Sequence, residues 1–389
     1  MKTRHQIIFQ DSKNMKCVDS ESVDLIVTSP PYPMIEMWDE MFVAQNRAIS
    51  EALSKEKGPD AFELMHQELD AVWNELYRIL KNGGIACINI GDATRTIDGD
   101  FVLYQNHARI LTYLLKIGFS SLPVILWRKQ TNAPNKFMGS GMLPPGAYVT
   151  LEHEFILILR KGSMRGFKTA REKQIRRESA FFWEERNVWY SDIWLDLKGT
   201  AQSLNYEQMR LRSAAYPFEL PYRLINMFSV KGDTVLDPFL GTGSTTLAAM
   251  AACRNSVGFE IEPSFQNPVV SQMDTIVAFS NEQIRNRINN HIGFVKDRYK
   301  AKGAFKHMNK QYGFPVVTNQ EKELLLNQLV SASQISDGVF EVSYSEKPQE
   351  EFCGDWQEFI IPAGDKQFSK KPRPKSTPDK TIQLTLLDN

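Results

Sequence analysis

Val23-Asp24-Leu25-Ile26-Val27-Thr28-Ser29-Pro30-Pro31-Tyr32 is the stretch on which the reading of this chain turns. Apolar residues at 23, 25, 26 and 27 predict a short buried strand. Two consecutive prolines end it, because neither can donate a ladder hydrogen bond. Each also biases the residue before it toward an extended backbone. The product is a stiff corner presenting a hydroxyl, free carbonyls and an aromatic ring at the C-terminal end of a strand. Ligands of open α/β sheets bind at that edge.

Such a corner suits an exocyclic amine on a nucleobase. That nitrogen is planar and a poor nucleophile, since its lone pair is delocalised into the ring. Acceptors at Ser29 and the Pro30 carbonyl can hold both N–H groups and draw the nitrogen toward tetrahedral. Tyr32 can stack on the base, a contact worth about 1–3 kcal/mol. The competing reading is a Pro-rich turn with a core tyrosine.

A second stretch, Thr234-Val235-Leu236-Asp237-Pro238-Phe239-Leu240-Gly241-Thr242-Gly243-Ser244, reads as strand, glycine turn and helix start. The strand Val257-Gly258-Phe259 follows and ends in Glu260. An acidic residue about 20 positions beyond the first strand is the usual partner of a ribose diol. A phosphate loop needs Lys after its last Gly, and here Ser244 follows Gly243. Residue 246 is Thr, so the full dinucleotide fingerprint is also missing. A ligand with a ribose and no pyrophosphate fits better, and S-adenosylmethionine is one.

Together the two stretches resemble the S-adenosylmethionine-dependent DNA amino-methyltransferases. The corner precedes the donor loop, as in the permuted β-group, and Ser before Pro-Pro-Tyr resembles the N4-cytosine type. The resemblance spans about residues 7–262. It implies an α/β, Rossmann-like methyltransferase fold: a mostly parallel twisted sheet with a terminal antiparallel hairpin, circularly permuted motif order and an inserted target-recognition segment. It implies catalytic roles for Ser29, Pro30, Pro31 and Tyr32, and donor contacts for Asp11, Asp237, Phe239, Gly241, Thr242, Gly243 and Glu260. Asp11 reads equally as a helix cap. The expected divisions are 1–161 (catalytic half), 162–215 (target recognition), 216–302 (donor half), 303–365 (C-terminal extension) and 366–389 (disordered tail).

Composition adds little. Of the 389 residues, 46 are Lys or Arg and 46 are Asp or Glu, so no global field attracts nucleic acid. The four cysteines form no close pair, which argues against a zinc knuckle or a disulfide framework, and no metal is expected. None follows a proline, unlike the nucleophile of C5-cytosine enzymes. With neither a signal peptide nor a long apolar span, a cytoplasmic protein without a membrane partner is expected.

The pattern predicts helices over 34–57, 62–82 and 104–117, strands over 85–90, 122–127 and 155–159, and a helical polar stretch over 272–302. Met34, Met37, Trp38, Met41 and Phe42 read as core, and Gly83-Gly84 as the cap of the second helix. Asp92 reads either as a ligand contact or as a surface turn. The Gly- and Pro-rich stretch 130–147 reads as a long loop over the active edge, closing on DNA or on the flipped base. Residues 160–177 hold Arg160, Lys161, Arg165, Lys168, Arg171, Lys173, Arg176 and Arg177 against a lone Glu172. Such a cluster can neutralise phosphates. Arg165, Lys168, Arg171, Arg176 and Arg177, with Arg210 and Arg212, are the expected duplex contacts. Tyr216 stands where the family often carries His or Lys.

The expected function is N4-cytosine methylation of double-stranded DNA by base flipping and in-line attack, with a cognate restriction endonuclease encoded alongside as a candidate partner. N6-adenine methylation is the nearest rival. An RNA or protein-glutamine methyltransferase and a non-enzymatic DNA-binding module are more remote.

Overall fold

The computed structural model describes residues 1–129, 138–197 and 216–360. Its main sheet is built from β1 (Lys2–Phe9), β2 (Val23–Thr28), β3 (Leu80–Ile90), β4 (Ile125–Arg128), β5 (His153–Lys161), β6 (Ile193–Trp194), β7 (Thr234–Asp237), β8 (Asn255–Glu260), β9 (Leu329–Ser336) and β10 (Val339–Tyr344). They lie in the order β6-β4-β5-β3-β2-β7-β8-β1-β10-β9, and Phe119–Ser121 pairs with the end of β5. β3, β2, β7, β8 and β1 are mutually parallel. β5 runs antiparallel to both β3 and β4, which gives the expected terminal hairpin. At the other border β10 and β9 add a second antiparallel hairpin.

All six residues of β2 are buried, as expected of a central parallel strand covered on both faces. Asp24, the charged residue in that run, gains partners: Lys81 Nζ at 2.8 Å and the Thr234 backbone N–H at 3.0 Å. The long helix α3 (Gly58–Ile79) lays Met65, Leu69, Val72, Trp73, Leu76 and Ile79 on the sheet, with a proline at its first turn. It ends at Ile79, so Gly83-Gly84 is not its cap. The glycines lie inside β3, where the register against β2 shifts between Val23 and Leu25. The expected continuous helix over 34–57 is also broken. Met34 has φ +66°, Glu36–Trp38 is a single 3-10 turn, and α1 (Asp39–Gln45) stops before Asn46. Asn46 is extended and caps α2 (Arg47–Ser54) through the Ala48 N–H.

A hairpin over Ala93–Ile97 and Asp100–Tyr104 follows β3. Its turn, Asp98-Gly99, has positive φ at both residues, the geometry of tight hairpin turns. Next comes α4 (Asn106–Lys116), followed after β5 by α5 (Ala170–Glu178) and α6 (Trp183–Trp189). Phe182, Trp189 and Trp194, in and around α6, are all buried. α7 (Glu219–Phe228), α8 (Ser244–Ala251), α9 (Gln266–Met273) and α10 (Ile276–Lys302) complete the helices named here. Residues 303–360 fold onto α8 and α10, contributing Tyr312, Phe314, Leu324 and Phe340 to a shared core.

Candidate active site

The parallel strands end along one edge, and the residues singled out from the sequence gather there. Thr28, the last residue of β2, donates to Asp237 Oδ1 at 2.6 Å. Beyond it Ser29, Pro30 and Pro31 line a cleft of about 550 Å³. Asp11, Phe239, Gly241, Thr242 and Glu260 line the same cleft. Corner and glycine turn, far apart in sequence, therefore share one cavity.

Asp237 and Gly243 are not part of that lining. Asp237 is 2% exposed, and its carboxylate is taken by protein donors: Thr28, Thr245 Oγ1 at 2.6 Å, Tyr216 OH at 3.1 Å and the Phe239 N–H at 3.1 Å. The Tyr216 hydroxyl also bonds Thr245. Burial pushes the Asp237 carboxyl above its usual range, and the bonded donors pull the other way. Burial likewise holds the Tyr216 phenol well above its ordinary value, with the Asp237 charge acting the same way. Asp237 thus ties the corner strand to the glycine turn from behind the cleft wall, where its expected donor contact would have to run through the groups it holds. Gly243, at φ +88°, starts α8 and faces Val269.

Glu260 keeps its place on the cleft wall. Its Oε2 accepts the Gly241 N–H at 2.7 Å, and its Oε1 accepts the Glu262 N–H at 2.9 Å. Gly241 sits at φ +53°, a conformation most side chains resist, so the bond to Glu260 favours glycine there. Burial raises the Glu260 carboxyl above its usual value. Asp11 is more exposed; it accepts the Lys13 N–H at 2.9 Å and lies 3.5 Å from Lys13 Nζ.

Tyr32 lies outside the cleft lining, on the other side of the corner. Its hydroxyl is 3.2 Å from Ser29 Oγ, donates to Glu154 Oε2 at 2.9 Å and accepts from Asn89 Nδ2 at 3.0 Å. One edge of its ring rests on Gly91, where a Cβ would come within 2.9 Å of Tyr32 Cε2. Burial, with Glu154 close by, holds the Tyr32 phenol well above its ordinary value.

Several contributors escaped the sequence reading. Met34 is core, whereas Met37, Trp38, Met41 and the buried Phe42 line the cleft. Asn89 and Glu154 carried a usable signal, as polar residues within apolar strand runs. Lys129 carried none, and its Nζ is 3.0 Å from Glu154 Oε1. Asp92 contacts neither cleft nor corner; it accepts from the backbone and ring of His107 and anchors the start of α4.

The basic stretch 160–177 lies elsewhere. β5 runs against β3 and so delivers the chain to the opposite edge of the sheet. There Lys161 Nζ bonds the Leu80 carbonyl, and Arg165 pairs with Asp233 at 2.6 Å and Asp24 at 3.6 Å. The end of α5 meets Leu325 and Lys231. Arg165, Lys168, Arg171, Arg176 and Arg177, the expected duplex contacts, thus belong to a stretch that leaves β5 at the edge opposite the corner. Arg210 and Arg212 lie outside the described residues, as does 130–137, the first part of the expected loop. Among the described residues, no group of three His, Cys, Asp or Glu side chains is gathered to hold a metal, and no helix is long and apolar enough to cross a membrane.

The pattern of the DNA methylase family matches residues 23–273, corner and glycine turn included. The chain belongs to the DNA methylase family. The methylase is 50% identical over 347 residues to the type II methyltransferase M.MthZI of Methanothermobacter thermautotrophicus, an alignment covering 89% of this chain and 96% of that one. It is also 50% identical over 281 residues to the type II methyltransferase M.MjaI of Methanocaldococcus jannaschii, covering 69% and 91%. Among solved structures it is similar to TTHA0409 of Thermus thermophilus, solved in complex with S-adenosyl-L-methionine. That match has 30% identity and a TM-score of 0.54, covering 69% of this chain and 94% of TTHA0409.

Proposed function

We propose that this methylase transfers a methyl group from S-adenosylmethionine to the exocyclic N4 of cytosine in duplex DNA, as the modification half of a type II restriction-modification system in the cytoplasm. The observation that carries the reading is the shared cleft lined by Ser29, Pro30 and Pro31 at one end and by Phe239, Gly241, Thr242 and Glu260 at the other. The residues fit the donor. Glu260 offers acceptor oxygens on the wall, as a ribose diol requires, and a cleft of about 550 Å³ is within the usual range for a cofactor site. Phe239 and Trp38 give apolar surface beside it.

S-adenosylmethionine supplies an electrophilic methyl group. The protein's part is positioning. The base leaves the stack, because its amine cannot be reached inside a duplex. Ser29 and the Pro30 carbonyl accept the two N–H groups, and Tyr32 stacks on the ring. Alignment of lone pair and methyl then accounts for much of the rate. Ser in place of Asp or Asn at the corner favours cytosine over adenine through the family resemblance.

Incubation with labelled S-adenosylmethionine and unmethylated genomic DNA, followed by digestion to nucleosides and mass analysis, tests the proposal. N4-methylcytosine is the expected product. N6-methyladenine would overturn the base assignment and keep the mechanism. No methylated nucleoside despite measured donor binding would overturn the DNA reading.

A further inference from the structure

Glu154 is the second residue of β5, a largely apolar strand, and is 9% exposed. A carboxylate so buried requires partners. Asn89 Nδ2 lies 2.6 Å and the Tyr32 hydroxyl 2.9 Å from Oε2, while Lys129 Nζ lies 3.0 Å from Oε1.

These contacts fix a direction of donation. Asn89 Nδ2 and Lys129 Nζ can only give hydrogens. The Glu154 carboxylate can only accept. The single phenol hydrogen of Tyr32 is therefore committed to Glu154. Asn89 Nδ2, 3.0 Å from the phenol oxygen, occupies one of its acceptor positions. What the phenol can still offer Ser29, 3.2 Å away, is a lone pair. Ser29 must donate to Tyr32, so its one hydrogen points away from the cleft that its residue lines. Its own lone pairs are left for an incoming N–H.

We infer that Glu154 is a positioning residue for methyl transfer: acting through Tyr32, it makes Ser29 a pure hydrogen-bond acceptor toward the exocyclic amine. This rests on the proposed place of the amine at Ser29. The consequence is chemical. Without Glu154 the phenol can donate to Ser29, and the Ser29 hydrogen is free to turn to the amine nitrogen. There it would occupy the lone pair that has to attack the methyl group. The relay itself makes and breaks no covalent bond and moves no net proton.

The test is a set of coupled substitutions in the full-length enzyme. Single-turnover methylation rate, donor affinity by calorimetry and KM for DNA are measured for wild type, Ser29→Ala, Glu154→Leu, Tyr32→Phe, and the two double variants that combine Ser29→Ala with each of the others. Glu154→Leu and Tyr32→Phe should each slow methyl transfer about tenfold, the size of one lost hydrogen bond, with donor affinity unchanged. In the Ser29→Ala background neither should slow it further. Effects that multiply in the double variants would overturn the inference, because Glu154 would then act on something other than Ser29. The proposed function would survive that result as long as Ser29→Ala alone is slow. If Ser29→Ala methylates at the wild-type rate, the amine is not held at Ser29, and the inference falls with that assignment. Should Glu154→Leu not fold, the Tyr32→Phe arm decides, since it cuts the same relay and keeps the ring.

Discussion

The two edges of the central sheet differ in what their polar residues do. Where the parallel strands end, Ser29 and Glu260 line a cleft, while Asp237 and Tyr216 are consumed in holding the walls together. At the opposite edge, some of the basic groups are consumed inward. Arg165 is tied to Asp233, and Lys231 Nζ reaches the Leu325 carbonyl and Asn327. The contrast shows that composition alone does not say at which edge of a sheet a basic stretch lies. Strand direction decides which edge receives it, and the antiparallel β5 sends residues 162–178 away from the corner.

The largest effect is expected at the first edge. Tyr32→Ala should lower turnover about a hundredfold, the upper range of one base-stacking contact, with calorimetric donor affinity kept. Lost donor binding would break the assignment of base to one side of the corner and donor to the other. Next, Glu260→Ala should weaken donor binding about tenfold to a hundredfold, the range for a charge-assisted hydrogen bond. Unchanged affinity would remove Glu260 from the donor site.

Asp237→Asn sharpens the contrast between wall and contact. An amide cannot accept from Thr28, Thr245, Tyr216 and the Phe239 N–H as a carboxylate does. It should cost about 2 kcal/mol of stability, seen as a lower melting temperature, with donor affinity reduced as a consequence. Weaker donor binding at an unchanged melting temperature would return Asp237 to the ligand. At the far edge, changing the exposed Arg171, Lys173, Arg176 and Arg177 together to Gln should alter kcat/KM on DNA by less than about threefold, and leave its salt dependence intact. A shallower salt slope would mean that the duplex reaches that edge.

A separate effect, on stability alone, concerns Lys231, whose ammonium burial pushes down to about 8 from an ordinary 10.5. Between those values the unfolded chain binds the extra proton, so the contribution of Lys231 to stability rises with pH across that window. Melting curves of wild type and Lys231→Met should converge or cross there. A constant difference from pH 8 to 10.5 would contradict the burial of the amine.

How much was legible depends on range. β2, the corner, the glycine turn and Glu260 were readable because each lies in a contiguous stretch whose chemistry is local. The hairpin turns at Asp98-Gly99 and Asp337-Gly338 went unread, although Asp-Gly is a turn signal. The break at Asn46 was harder, because a capping side chain and a helical one look alike until the backbone turns. The cleft positions of Met37, Trp38 and Met41 were hidden, since helical spacing says which residues share a face and not what that face meets.

The sequence by itself determined the family, the order of its motifs and the stiff Ser29–Tyr32 corner, because proline and glycine constrain their own backbone wherever the chain goes. The tertiary structure alone decided that Thr28 meets Asp237 across 209 positions, that Glu154 reaches Tyr32 across 122, and that the basic stretch lies at the other edge. Those outcomes depend on which strands pair and in which direction. That is settled by burying the whole sheet at once, and no short stretch of sequence contains it.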